Sequence, residues 1–235
     1  MSSSNNLIVN KSKPFLGKVI IPGDKSISHR SIILGSLAKG KLIINNFLRS
    51  DDCLQTISAM RSLGAKIKNF NEQIIIEGIG LNNIKNPNKI IDAGNSGTLI
   101  RLLTGILSVQ NFTSTITGDD SLNLRPMRRI ISPLVAHGAM IDSNNFRAPL
   151  KIIGNTKLSP IFYKQDVASA QVKSCLMLAA LFIEGESKFY EDIVTRNHTE
   201  NLLEHLGYDI SKSEHEISFK GCQTLFAKDI NIGSD

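Results

Sequence analysis

The 235-residue sequence has no tryptophan, and its aromatic fraction is only 6%. With no basic stretch interleaved with aromatics, it lacks the stacking platforms on which single-stranded nucleic acids are held. Cysteine is equally sparse: Cys53, Cys175 and Cys222 are odd in number and far apart. That spacing argues against a disulfide framework or a closely paired thiolate metal site, and predicts buried small side chains in a reducing compartment. No stretch of about 18 apolar residues occurs, as a membrane-spanning helix would need. Residues 1–10 are rich in Ser and Asn and lack the basic and apolar regions of a secretory leader. The expectation is a soluble cytoplasmic protein.

What is present is enough apolar material for a core. At 41% hydrophobic and 20% charged residues, the chain reads as one large globular domain or two small ones. A net charge of +6 suits a nucleic-acid binder, a membrane-surface protein or an enzyme of small anionic substrates. The cations are scattered, with no dense basic run, which disfavours nucleic acid.

Two marks recur at a period of about seventy residues, long enough for a complete βα supersecondary block. The first is a Ser-led segment that opens a helix: Lys25-Ser26-Ile27-Ser28-His29-Arg30, then Asn95-Ser96-Gly97-Thr98-Leu99-Ile100-Arg101, then Ser169-Ala170-Gln171-Val172-Lys173. The second is a Gly placed like a helix C-cap before strand-like sequence, at Gly64, Gly138 and Gly207. Short β-rich runs at 41–45, 73–77 and 113–117 lie between them. Both marks keep step, so the prediction is an α/β or α+β domain of three similar units with pseudo-threefold symmetry. In the first unit, Val19-Ile20-Ile21 reads as a strand and Pro22-Gly23-Asp24 as the turn after it.

Each helix opening can bind an anion, because free N–H groups and the positive end of the helix dipole face the ligand. At the first, Ser26 adds a hydroxyl, Lys25 a point charge, and Arg30 a fork one turn along the same face. His29 reads as structural. The Gly94-Asn95-Ser96-Gly97-Thr98 turn allows close approach of an anion to the backbone, and Arg125, ahead of a helix-starting Pro126, can reach the same place. At the third opening, Ser169 and Gln171 offer polar groups to hydroxyls or phosphate. Thr195-Arg196-Asn197-His198-Thr199-Glu200 opens the last helix, with Thr195 or Asn197 as its cap. A purely structural set of capped helices with solvated charges accounts for any one of these segments alone.

Taken in order, Pro22-Gly23-Asp24-Lys25-Ser26-Ile27-Ser28-His29-Arg30, Gly94-Asn95-Ser96-Gly97-Thr98, Leu124-Arg125-Pro126-Met127 and Ser169-Ala170-Gln171-Val172-Lys173-Ser174 resemble the EPSP synthase family (3-phosphoshikimate 1-carboxyvinyltransferases) over residues 18–207. The resemblance implies the N-terminal half of a two-domain transferase of the shikimate pathway to chorismate and the aromatic amino acids, each domain built from three βαβαββ units. It divides the chain into an N-terminal segment at 1–17 that packs on the second domain, an enolpyruvyl-transferase domain at 18–222, and the start of a C-terminal domain at 223–235. The implied partners are shikimate 3-phosphate and phosphoenolpyruvate, with no cofactor, no metal, no nucleic acid and no membrane. Shikimate 3-phosphate falls to Lys25, Ser26, Arg30, Ser169, Ala170, Gln171, Thr195 and Arg196. Phosphoenolpyruvate falls to Lys25, Gly97, Arg125 and Gln171, so Lys25 positions both ligands. The family's acid/base residues belong to the C-terminal domain, which this chain is expected to lack, making it a partial enzyme that needs the missing half in cis or as a separate chain. Gly97 is implied to leave room for glyphosate. Two rivals stand beside this expectation. One is a relative of the UDP-N-acetylglucosamine enolpyruvyl transferase, disfavoured because Lys25 is followed by Ser rather than Asn; the other is a basic RNA-binding module.

Overall fold

The computed structural model of the chain describes residues 8–11, 14, 16–19, 21–70 and 73–234. Residues 1–7, 12, 13 and 15 of the segment expected at 1–17, and Ile20 of the expected first strand, lie outside the described residues. The first block runs α1 (Lys25–Leu37), β1 (Lys39–Asn45), α2 (Asp51–Ser62), β2 (Lys66–Asn69) and β3 (Gln73–Ile79). The second runs β4 (Ile91–Asp92), α3 (Gly97–Ser108), β5 (Thr113–Thr117), α4 (Asp120–Asn123), α5 (Arg128–Ala136), β6 (Met140–Asn144) and β7 (Arg147–Ile153). The third runs β8 (Phe162–Lys164), α6 (Ala170–Ala180), β9 (Glu186–Tyr190), α7 (His198–His205), β10 (Ser211–Lys212) and β11 (Glu216–Lys220), and β12 (Ile230–Asn231) follows.

These elements form an α/β structure with three mixed four-stranded sheets, ordered β12-β1-β3-β2, β4-β5-β7-β6 and β8-β9-β11-β10. Each contains one parallel pair, β1 with β12, β5 with β4 and β9 with β8. The remaining pairs are antiparallel. Strand sequences alternate as a half-buried sheet requires: Ala148, Leu150 and Ile152 point inward from β7, and Ile74 and Ile76 from β3.

The helix punctuation explains the period. Asp24 caps α1 by accepting from the Ile27 N–H at 2.5 Å, Ser96 caps α3 by accepting from Leu99 at 3.1 Å, and Ser169 caps α6 by accepting from Val172 at 3.4 Å. The first cap is therefore Asp24 rather than a serine, and Lys25 is already helical. Gly64, Gly138 and Gly207 follow α2, α5 and α7 with φ of 102°, 103° and 79°, the left-handed geometry that ends a helix cheaply only at Gly. The last helix is led by Asn197, whose side chain makes no cap bond. Helix α5 begins at Arg128, not at Pro126.

Helices α1, α3 and α6 are buried almost all round and form the interior, α3 and α6 mostly through apolar side chains and α1 with Ser28, His29, Arg30, Ser31 and Ser36 buried as well. At Gly105 a Cβ would lie 2.1 Å from the Cys175 carbonyl oxygen, so α3 and α6 pack with their backbones in near contact.

Two expectations are corrected. The described residues of the predicted strand at 19–21 form no strand; Val19 and Ile21 are exposed. Pro22, which has no N–H to give a ladder, leads instead to a single bridge between Gly23 and Ser234. The parallel edge position of the first sheet is filled by β12, with Ile230 and Ile232 buried. Cys222, expected to be buried like Cys53 and Cys175, is exposed; it turns the chain after β11 with φ 62° and donates its N–H to the Leu181 carbonyl. Among the described residues, no helix is long and apolar enough to cross a membrane, and no group of His, Cys, Asp and Glu side chains could hold a metal ion.

Candidate functional site

The first turns of α1 and α6 and the start of α7 meet at Arg30. Its side chain is 2% exposed and donates through Nε to Thr199 Oγ1 at 2.7 Å, through Nη2 to Ser174 Oγ at 2.7 Å, and through Nη1 to Ser26 Oγ at 2.5 Å and Ser26 O at 3.1 Å. Thr199 donates in turn to Ser174 Oγ at 2.7 Å, and Ser174 to the Ala170 carbonyl at 2.6 Å. Ser26, Arg30 and Ala170, predicted from separate stretches of sequence, are thus joined by one hydrogen-bond chain. Burial pulls the Arg30 pKa down to about 10, with Glu200 opposing the shift, so the guanidinium is a fixed cation at neutral pH. His198 stands beside it, with Nδ1 3.3 Å from Ser26 Oγ and 3.9 Å from the Asp24 carboxylate. Burial lowers its pKa, Asp24 opposing, so near neutral pH its ring is mostly uncharged.

A second cluster joins α6 to α3. Gln171 donates to Thr98 Oγ1 at 3.0 Å, and Arg101 donates to Gln171 Oε1 and to the Gly97 carbonyl, each at 3.1 Å. Arg125 donates to Asn95 Oδ1 at 2.5 Å, and Asn95 donates to Asp119 at 2.8 Å. Two guanidinium groups flank the bare Gly97: a Cβ there would lie 2.8 Å from Arg101 Nη1 and 3.1 Å from Arg125 Nη1. Burial, and then the neighbouring Arg125 charge, lowers the Arg101 pKa. Two cations held this close repel, and an anion placed between them would relieve that repulsion.

The remaining predicted residues are distributed less evenly. Lys25, half-exposed, is paired with Asp52 of α2. Ser169 serves as the α6 cap, and its N–H donates to Gln165 Oε1 at 2.7 Å. Thr195, offered above as a cap of the last helix, turns inward instead, donating to Glu191. Arg196 is exposed and makes no hydrogen bond or ion pair among the described residues, although its charge acts on both Arg30 and His198. Sequence reasoning passed over Ser174, Thr199, His198 and Arg101 as site residues. One signal was available for two of them: Arg101 follows Gly97, and Ser174 follows Ala170, by the same four positions that separate Arg30 from Ser26. Residues so spaced lie on one helical face.

The family model described as EPSP synthase (3-phosphoshikimate 1-carboxyvinyltransferase) matches residues 9–235. A 3-phosphoshikimate 1-carboxyvinyltransferase of Vesicomyosocius okutanii is 47% identical over 98% of this chain and 53% of its own length. One from Coxiella burnetii is 44% identical over 93% of this chain and 50% of its own. The solved EPSP synthase of Acinetobacter baumannii superposes with a TM-score of 0.89 at 43% identity, covering 93% of this chain and 50% of that one. The chain belongs to the EPSP synthase family. It spans about half the length of the relatives it matches.

Proposed function

We propose that this chain forms the anion-holding half of a 3-phosphoshikimate 1-carboxyvinyltransferase, which moves the enolpyruvyl group of phosphoenolpyruvate to the 5-hydroxyl of shikimate 3-phosphate and releases phosphate. The three sheets of equal strand order support reading the fold as three βαβαββ units about a pseudo-threefold axis, with the helix openings of α1, α3 and α6 converging on the ligands. Shikimate 3-phosphate is assigned to Ser26, Arg30, Ser169, Ala170 and Gln171, with Thr195 and Arg196 at its margin. Phosphoenolpyruvate is assigned to Gly97, Arg125 and Gln171, and Lys25 lies between the two. In this reading the acid/base groups that protonate the enol methylene and take up the 5-hydroxyl proton come from a second domain, in cis or as a separate chain, closing over this face in the cytoplasm.

The observation that carries the reading is Arg30, a buried cation whose bonds draw together α1, α6 and α7. A guanidinium so held is a fixed positive charge beneath the helix openings that Ser26 and Ala170 present, which favours an anion there. Calorimetric titration of the chain with shikimate 3-phosphate, alone and with phosphoenolpyruvate, tests it. Saturable binding abolished by Arg30→Ala is the expected result. Binding that Arg30→Ala leaves intact would overturn the assignment of this cradle, and robust turnover by the chain alone would overturn the need for a second domain.

A further inference from the structure

Behind the cradle lies a buried ion cluster that none of the roles above uses. Lys173 on α6 is 1% exposed, Glu191 at the end of β9 is 3% exposed and Glu200 on α7 is 1% exposed. Lys173 Nζ lies 2.6 Å from Glu191 Oε2 and 2.5 Å from Glu200 Oε1. Taking three ions out of water is costly, and well-packed apolar side chains often do as well or better for stability alone. Such a cluster therefore invites a role in specifying geometry.

Its connections indicate which geometry. Glu191 Oε1 accepts from Gln165 Nε2 at 2.8 Å, from the Thr195 hydroxyl at 2.5 Å and from the Thr195 N–H at 3.3 Å. Gln165 Oε1 accepts the Ser169 N–H at 2.7 Å. One carboxylate thus holds both the residue that caps α6 and the loop leading to α7. On the far side of Lys173, Glu200 follows Thr199, the partner of Arg30 Nε, and its own second oxygen is buried with no hydrogen-bond partner among the described residues. Glu200 is also the charge that most favours the protonated form of Arg30.

We infer that Glu191 is a positioning residue: with Lys173 and Glu200 behind it, its carboxylate locks the Ser169–Gln165 turn and the Thr195–Arg196 loop into one unit facing the cradle. The Ser169–Gln165 turn and the Thr195–Arg196 loop share no direct hydrogen bond among the described residues; pairing of β8 with β9, continued by the Gln165 N–H to the Tyr190 carbonyl at 3.1 Å, brings their starts alongside, and beyond the sheet the Glu191 carboxylate ties them. Gln in place of Glu191 keeps the shape but sets an amide against the Lys173 ammonium or turns it away from Thr195, so one of the two attachments is lost.

The consequence for shikimate 3-phosphate rests on the functional reading above; the consequence for the loops does not. Amide hydrogen exchange on the full 235-residue chain compares the parent, Glu191→Gln and the core variant Ile152→Val, which loosens the second sheet without touching the cluster. Losing a charge-assisted bond of this kind predicts about tenfold faster exchange at the Ser169 and Thr195 amides in Glu191→Gln, with amides of β5 and β7 unchanged. If the two loop amides keep the parent rate, or quicken only in step with the sheet amides as in Ile152→Val, the inference fails. Should Glu191→Gln not fold, Thr195→Val removes the hydroxyl bond alone and must still quicken Thr195 exchange. In a parallel titration with shikimate 3-phosphate, about tenfold weaker binding to Glu191→Gln is expected, and equal affinity would count against the positioning role. A parent that binds no shikimate 3-phosphate would sink the functional reading, while the exchange comparison would still decide the role of Glu191.

Discussion

The two arginines that face the proposed ligands are held in opposite ways. Arg30 is sunk among α1, α6 and α7, and three side-chain hydroxyls take its protons. Arg125 sits partly in solvent at the end of a loop, with one bond to the exposed Asn95. The first arrangement is built by the fold before any ligand arrives; the second sets Arg101, held by Gln171 and the Gly97 carbonyl, against a more exposed Arg125 around a glycine. A guanidinium already desolvated and oriented contributes to binding without further ordering, whereas a mobile one must be ordered when the ligand binds. On this contrast the proposed acceptor side is preorganised, and the proposed donor side is the one whose exposed arginine a ligand would have to order.

The largest effect that could break the contrast is the stability of Arg30→Ala. Removing that side chain leaves a cavity where α1, α6 and α7 meet, takes a charged donor from the Ser174 and Thr199 hydroxyls, and removes a cation near Glu200, which keeps only Lys173. A loss of about 3 kcal/mol or more in denaturant unfolding is expected. A loss under about 1 kcal/mol would mean that the helices meet for other reasons.

Acid should weaken the same side. His29, next to Arg30, is fully buried, bonded to Thr56 at 2.6 Å, and burial lowers its pKa to about 4. Above pH 6.5 both folded and unfolded chains carry it neutral and it costs nothing. Between pH 6.5 and 4 only the unfolded chain takes up the proton, so stability falls as pH falls, by about 3 kcal/mol at the lower end. Urea unfolding at stepped pH should show this slope, and His29→Leu should flatten it.

The donor side should behave differently. In Gly97→Ala the new Cβ meets only the ends of two flexible arginines, so stability should change by no more than about 1 kcal/mol. Phosphoenolpyruvate affinity, measured in the enzyme completed with a C-terminal half, should still fall about tenfold, and glyphosate affinity should fall further. Affinity unchanged by the methyl group would show that the guanidinium pair does not hold the donor. Smallest of all should be the stability change in Arg125→Ala, within about 0.5 kcal/mol because its bond is solvent-exposed. A larger thermal shift would mean that the donor loop is as firmly built as the acceptor cradle.

Much of this was legible from residue order. The strands at 41–45, 73–77 and 113–117 lie within β1, β3 and β5, and the glycines at 64, 138 and 207 adopt the positive φ their spacing implied. These features depend on a few adjacent residues: apolar alternation, a capping side chain, a missing Cβ. The edge of the first sheet was not legible. Val19-Ile20-Ile21 has the composition of a strand, yet the parallel neighbour of β1 is Ile230–Asn231, 186 positions along the chain from its partners, and composition cannot say which apolar segment will reach a given edge. Cys222 was misjudged for a related reason, since a small apolar residue placed in a turn follows the turn outward.

By itself the sequence determined the threefold period, the helix openings that carry Ser26, Gly97 and Ser169, and the family they belong to, because each is written in short contiguous motifs. Only the tertiary structure decided that Thr199 and Ser174 would share Arg30, that Arg101 would bond Gln171 of α6, and that Lys173 would hold Glu191 and Glu200 out of water. Those pairings join residues as much as 169 positions apart. They exist because burial leaves a charged or hydroxyl group no partner but the one the packed helices bring to it.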